Sequence, residues 1–111
     1  LRGGDGVRLQ ANLSGATPAS GKADYREFQN NFGQTVRRIS VEVEDAKPGS
    51  VWGIRHNGVL IGMVKINALG GADFNRQSVT DDPNKQGFVP DMKAGDKITV
   101  GPLLSGFLKA V

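Results

Sequence analysis

The stretch VRRISVEVE, residues 36–44, alternates apolar and polar side chains. Ile39, Val41 and Val43 point to one side of an extended chain, and charged or polar residues point to the other. This alternation predicts a β-strand with one buried and one solvated face. The same pattern recurs in residues 7–13 and at intervals of about ten residues, with turn residues between, whereas helical periodicity is hard to find. The chain is therefore predicted to be all-β.

The segment VWGIRHNGVLIGMVKI, residues 51–66, predicts a hairpin closed by Asn57-Gly58. A type I′ turn needs positive φ at both central positions, and these two residues tolerate it. A two-residue loop pairs His56 with Val59, and an uninterrupted register then pairs Trp52 with Met63. This register predicts two apolar faces and a central hairpin. One face carries Trp52, Ile54, Ile61 and Met63, and the other carries Val51, Leu60, Val64 and Ile66.

Length and composition predict one globular domain. The chain has 111 residues, 38% of them hydrophobic, and its 16 glycines imply many turns. The turn spacing predicts a single antiparallel β-sandwich over residues 1–111, immunoglobulin-like in general architecture, with about seven or eight strands. Residues 1–5 are expected to be a flexible N-terminal segment. No apolar run reaches the roughly 18 residues of a transmembrane helix, so no membrane insertion is expected.

Charge and cysteine content exclude several classes of site. Lys plus Arg number 14 against 11 acids, a formal charge of +3, and the basic residues are scattered along the sequence. Only Arg37 and Arg38 are adjacent, and in a strand they point to opposite faces. Nucleic acid is therefore not an expected partner. Since the chain has no cysteine, disulfides, thiolate metal sites and thiol nucleophiles are absent, and no cofactor is expected.

His56 is the single histidine and would have to serve any histidine-based catalysis. Its place at a hairpin tip predicts a hydrated, dispensable ring, and no G-x-S-x-G elbow accompanies it. We therefore expect no catalytic residue. A small hydrolase is the alternative, which requires His56 to lie in a cleft beside an acid.

Oxygen ligands occur in the loops, but their spacing fits no calcium-binding pattern. No metal is expected. If one binds, Asp73, Asp81 and Asp82 are the first candidates.

Aromatic residues admit two interpretations. Trp52, Tyr25 and five phenylalanines can fill a core or form a platform on which sugars stack, and large rings usually fill cores. The binding candidates are Trp52, Tyr25, His56 and Arg55. Exposure of these rings would favour a carbohydrate-binding module.

The chain from Leu9 to Phe74 resembles the CHRD domain, a β-rich module of chordin and of exported bacterial proteins. The resemblance lies in the segments LSGA (13–16), GKADY (21–25), IRHNG (54–58) and IGMV (61–64). Where that family usually has a His-x-His pair, this chain has Arg55-His56. The whole chain also resembles Gly-rich β modules of predicted secreted proteins from planctomycete-like bacteria. Both resemblances imply an exported β-sandwich without established catalytic residues.

The expected function is that of a non-catalytic binding or spacer module of an exported or cell-surface protein, in an extracellular or periplasmic location. The expected partner is a protein or a carbohydrate. Copies of the chain can also associate through exposed edge strands, since Pro102 and Lys109 are the main protective residues near the C-terminus.

Overall fold

The computed structural model describes residues 6–111 and contains nine strands in two antiparallel sheets. The larger sheet has the order β6-β3-β2-β1-β9 and the smaller one β5-β4-β7-β8. The predicted β-sandwich is confirmed, with nine strands rather than seven or eight. The expected flexible segment 1–5 lies outside the described residues. The strands are β1 (Val7–Leu13), β2 (Ser20–Gln29), β3 (Thr35–Glu44), β4 (Val51–His56), β5 (Val59–Lys65), β6 (Ala72–Gln77), β7 (Lys97–Val100), β8 (Leu104–Phe107) and β9 (Lys109–Ala110).

The core lies between the two sheets and is built by the predicted alternation. In β3, Ile39, Val41 and Val43 are buried, while Glu42 and Glu44 are exposed. Each fully buried aliphatic side chain contributes about 1.5–3 kcal/mol of transfer free energy, so the alternation of one strand already favours one orientation strongly. No helix in residues 6–111 is long and apolar enough to cross a membrane.

The strand order differs from that of immunoglobulin domains, although both architectures pack two antiparallel sheets. Here β1, β2 and β3 lie side by side as a meander. An immunoglobulin constant domain instead combines its first, second, fifth and fourth strands in one sheet. The likeness is therefore one of general architecture.

The hairpin turn is confirmed, but the predicted register beyond Arg55 is wrong. Asn57 and Gly58 have φ values of 49° and 86°, as a type I′ turn requires. Past the pairs His56–Val59 and Arg55–Leu60, a β-bulge at Ile61 shifts the ladder by one residue. The corrected pairs are Ile54–Gly62, Gly53–Met63, Trp52–Val64 and Val51–Lys65.

The bulge has a tertiary cause. The Phe74 ring of β6 lies against Gly62, where an added Cβ would come within 2.4 Å of the ring. The Arg76 guanidinium donates to the carbonyl of Ile61, the extra residue. Val64 consequently turns inward, and Met63 is 54% exposed. The hairpin is central only through β4, because β5 forms an edge of the smaller sheet.

The C-terminal segment joins the two sheets along β1. The expected last strand, residues 103–110, is divided at Leu108 into β8 in the smaller sheet and β9 in the larger one. Ser14 and Ser105 form a β-bridge at one end of β1, and Leu9 pairs with Ala110 nearer the other. Backbone pairing thus covers much of the outer edge of β1.

Candidate ligand-binding groove

A polar groove of about 610 Å³ lies on the outer face of the larger sheet, across β6, β3, β2 and β1. Its volume falls in the range of about 300–1,000 Å³ that is usual for small-ligand sites. The polar residues that line it are Gln10, Asn12, Lys22, Asp24, Arg38, Ser40, Glu42, Asp73 and Asn75.

Strand register arranges these outward side chains in straight rows across four strands. The amide row consists of Gln10, Asp24, Ser40 and Asn75. The mixed-charge row, two residues further along each strand, consists of Asn12, Lys22, Glu42 and Asp73. Directly opposed residues on adjacent strands have Cβ atoms about 5 Å apart, so each row presents closely spaced donors and acceptors.

A third row brings three arginines together. Arg8 pairs with Arg26, and Arg26 pairs with Arg38, which in turn pairs with Gln77. This arginine row borders the amide row and lines a concavity of about 200 Å³ with Asp24 and Ser40. The basic residues are scattered along the sequence, and arginines 12 to 18 positions apart become neighbours only through strand pairing.

Asp24 lies between the amide and arginine rows. Its Oδ2 accepts from the Arg8 guanidinium and the Gln10 amide, both at 3.2 Å. Its Oδ1 is buried and has no hydrogen-bond partner within residues 6–111. Because a buried acceptor without a donor is costly, Asp24 carries an unsatisfied polar atom at the junction of the two rows.

Trp52 and Tyr25, two of the binding residues predicted from sequence, lie in the core instead. Trp52 is 6% exposed and packs against Gly101, and Tyr25 is fully buried. The Tyr25 hydroxyl donates to Glu27 Oε1, which also accepts from Arg37 Nε at 2.9 Å. Burial raises the pKa of Tyr25 to about 12. Neither ring offers a face on which a sugar can stack.

Other aromatic rings are exposed instead. They are Phe32, Phe88 and Phe107. Phe107 lines a second concavity, of about 620 Å³, that shares Gln10 and Asn12 with the polar groove. An exposed ring therefore does lie beside the groove, but it is Phe107, which the sequence does not distinguish from the core aromatics.

His56 and Arg55, the other two predicted residues, lie at the hairpin tip. Arg55 donates to the Gly58 carbonyl at 3.2 Å. The His56 side chain is only 11% exposed, and its Nε2 lies 2.8 Å from Asp96 Oδ2. The expectation of a hydrated ring is therefore wrong, because the turn before β7 folds against the hairpin tip.

The His56–Asp96 pair has the position of a structural clamp. Asp96 Oδ2 also accepts from the Lys93 amide at 2.9 Å, and Asn57 Oδ1 accepts from the Lys97 amide at 2.8 Å. The hydrogen bond with His56 is the main cause that lowers the pKa of Asp96. Within residues 6–111, no serine or threonine hydroxyl is hydrogen-bonded to His56, so the pair has an acid but no bound nucleophile.

The candidate calcium ligands occupy different parts of the fold. Asp73 lines the groove on β6, whereas Asp81 and Asp82 lie in the loop that follows β6. Asp82 caps its own turn by accepting from the Asn84 amide at 2.9 Å. In the part of the chain that the structure describes, no three His, Cys, Asp or Glu residues converge in a way that could hold a metal ion.

The chain matches no family model, no curated protein and no solved structure. The resemblance to the CHRD domain therefore stays a prediction.

Proposed function

We propose that the chain is a non-catalytic binding module of an exported or cell-surface protein and that it holds a carbohydrate in the polar groove. The observation that carries this proposal is the alignment of the amide and mixed-charge rows across four strands. The exported location, extracellular or periplasmic, follows from the resemblance to the CHRD domain.

The chemistry of the two rows fits a polyhydroxylated ligand. Amides, carboxylates and a lysine place donors and acceptors side by side, and a sugar hydroxyl can both donate and accept. The mixed-charge row contains Lys22 beside Glu42, so the charges along this row are partly balanced. A spacer module would need no such concave arrangement of polar groups.

A strand-based site is also well positioned for recognition. Backbone pairing on both sides holds β2 and β3, and rigid elements fix side chains more accurately than loops do. The carbohydrate alternative predicted from exposed aromatics thus changes its basis, from ring stacking by Trp52 and Tyr25 to hydrogen bonding by the rows.

Affinity electrophoresis with soluble neutral polysaccharides tests this proposal. The probes are dextran, galactomannan and hydroxyethylcellulose. We expect at least one to retard the protein, and the double variant Gln10→Ala/Asn75→Ala to weaken retardation about tenfold, as the loss of two hydrogen bonds implies. Thr99→Ala on the smaller sheet is the matched control and should behave as the parent. Retardation by none of the three neutral polymers, and by no acidic polysaccharide such as alginate, would contradict the proposal.

The same polymers test the hydrolase alternative. Release of reducing ends, abolished by His56→Ala, would show that the His56–Asp96 pair is catalytic and would replace the binding module with an enzyme. We expect no release.

A further inference from the structure

The arginine row places like charges in direct opposition on three adjacent strands. Arg8, Arg26 and Arg38 occupy paired outward positions, and all three are exposed. Like charges directly opposite each other destabilise a sheet. Within residues 6–111, the side-chain ion pair in this row is that of Arg8 with Asp24, at 3.2 Å. The single carboxylate of Asp24 thus neutralises only one of the three guanidinium charges.

We propose that the arginine row is an anion subsite and that the ligand is a carbohydrate carrying an acidic group, a carboxylate or a sulfate. This inference rests on the proposed function and adds the charge and orientation of the ligand. The guanidinium group has a planar fork of donors that matches such anions in a bidentate manner. The concavity lined by the three arginines adjoins the groove and shares Asp24, Arg38 and Ser40 with it.

The charge distribution across the rows orients the ligand. Glu42 and Asp73 lie in the mixed-charge row, on the far side of the amide row from the arginines. An acidic sugar therefore places its anionic group on the arginine row and its neutral hydroxyls on the amide row. A nucleic acid, with a phosphate at every nucleotide, would meet these carboxylates along the groove and is disfavoured.

NMR titration with monosaccharides tests the subsite directly. The acidic probes are glucuronate and galacturonate, the neutral partners are glucose and galactose, and acetate serves as a simple anion. We follow the arginine Nε–Hε signals and the side-chain amides of Gln10 and Asn75. We expect the acidic sugars to saturate at concentrations about tenfold or more below their neutral partners, as charge-assisted hydrogen bonds imply. Added salt should reduce this preference.

Two double variants that each remove two positive charges test whether the preference for acidic sugars comes from the arginine row. Arg26→Gln/Arg38→Gln should remove the preference for acidic sugars, whereas Arg55→Gln/Lys65→Gln, on the smaller sheet, should retain it. Because the unliganded row places like charges in opposition, Arg26→Gln should also raise the melting temperature at low salt. An unchanged or lower melting temperature would show that the arginines do not repel one another measurably.

The remaining outcomes separate the two proposals. Equal binding of neutral and acidic sugars would overturn the anion subsite and leave the carbohydrate module standing. Binding of acetate as tight as that of the acidic sugars would show a simple anion site and would overturn the proposal that the ligand is a sugar. Absence of any sugar-induced shift would overturn both, and tighter binding of a thymidine oligonucleotide would replace the carbohydrate with nucleic acid.

Discussion

The two outer faces of the sandwich differ in chemistry although both belong to antiparallel sheets. The larger sheet presents three polar rows with charges of both signs. The smaller sheet has no Asp or Glu in any of its four strands, and on its outer face Leu60 and Met63 lie close to Gly53. Alternation of polar and apolar residues specifies orientation on the first face. On the outer face of the smaller sheet, the alternation cannot specify the orientation of the hairpin strands, because either register of the hairpin exposes apolar residues.

The largest expected effect is a difference in stability loss between substitutions on the buried and exposed faces of the hairpin. Ile54 is fully buried, whereas Met63 is 54% exposed. Ile54→Ala should lower the free energy of unfolding by about 2–5 kcal/mol, because it leaves a core cavity. Met63→Ala should stay within about 0.5 kcal/mol. Urea unfolding of both variants measures the difference. Equal losses in the free energy of unfolding would favour the uninterrupted register over the bulged one.

Two glycines sharpen the same comparison. Gly62→Ala should lower the free energy of unfolding by about 1–3 kcal/mol, because its Cβ would overlap the buried Phe74 ring. Gly53→Ala is the matched control on the outer face. There the new Cβ meets the end of the Leu60 side chain at 2.9 Å, and that chain can move toward solvent. A larger loss at Gly53 than at Gly62 would argue against the bulge.

The His56–Asp96 clamp at the hairpin tip is expected to make a pH-dependent contribution to the free energy of unfolding. His56→Ala should cost about 1–3 kcal/mol at neutral pH, as expected for a hydrogen bond to a charged group. Since the pKa of Asp96 is lowered from its ordinary 3.8, its contribution is present above that value and is lost as pH falls through the folded pKa.

The variant Asp96→Asn isolates this contribution from those of other carboxyls. Its stability deficit relative to the parent should be largest near neutral pH and should shrink as pH falls from about 5 to about 2. Urea unfolding across this range gives the difference directly. A deficit that is constant with pH would show that the Asp96 charge adds nothing to stability.

The smallest expected effect is that of metal removal. Chelation by EDTA should leave the melting temperature unchanged, since no described cluster of acids has the geometry of a cation site. A fall that calcium reverses would make the loop acids Asp81 and Asp82, with Asp73, the ligands to mutate first.

Local sequence patterns determined which segments became strands and where several turns lie. The alternation in residues 36–44 specified its buried face because each inward aliphatic residue favours the same orientation. Asn57 and Gly58 specified the hairpin turn because few residues adopt positive φ at low cost. These are short-range preferences, and they could be predicted.

Only the tertiary structure decided the sheet order, the bulge at Ile61 and the candidate site. The bulge depends on Phe74 and Arg76, which belong to another strand and become neighbours of β5 only after folding. The arginine row likewise depends on the pairing of β1, β2 and β3. Distance along the sequence carries no information about such contacts, because strand register, which converts distant residues into neighbours, is selected by the packing of the whole sandwich.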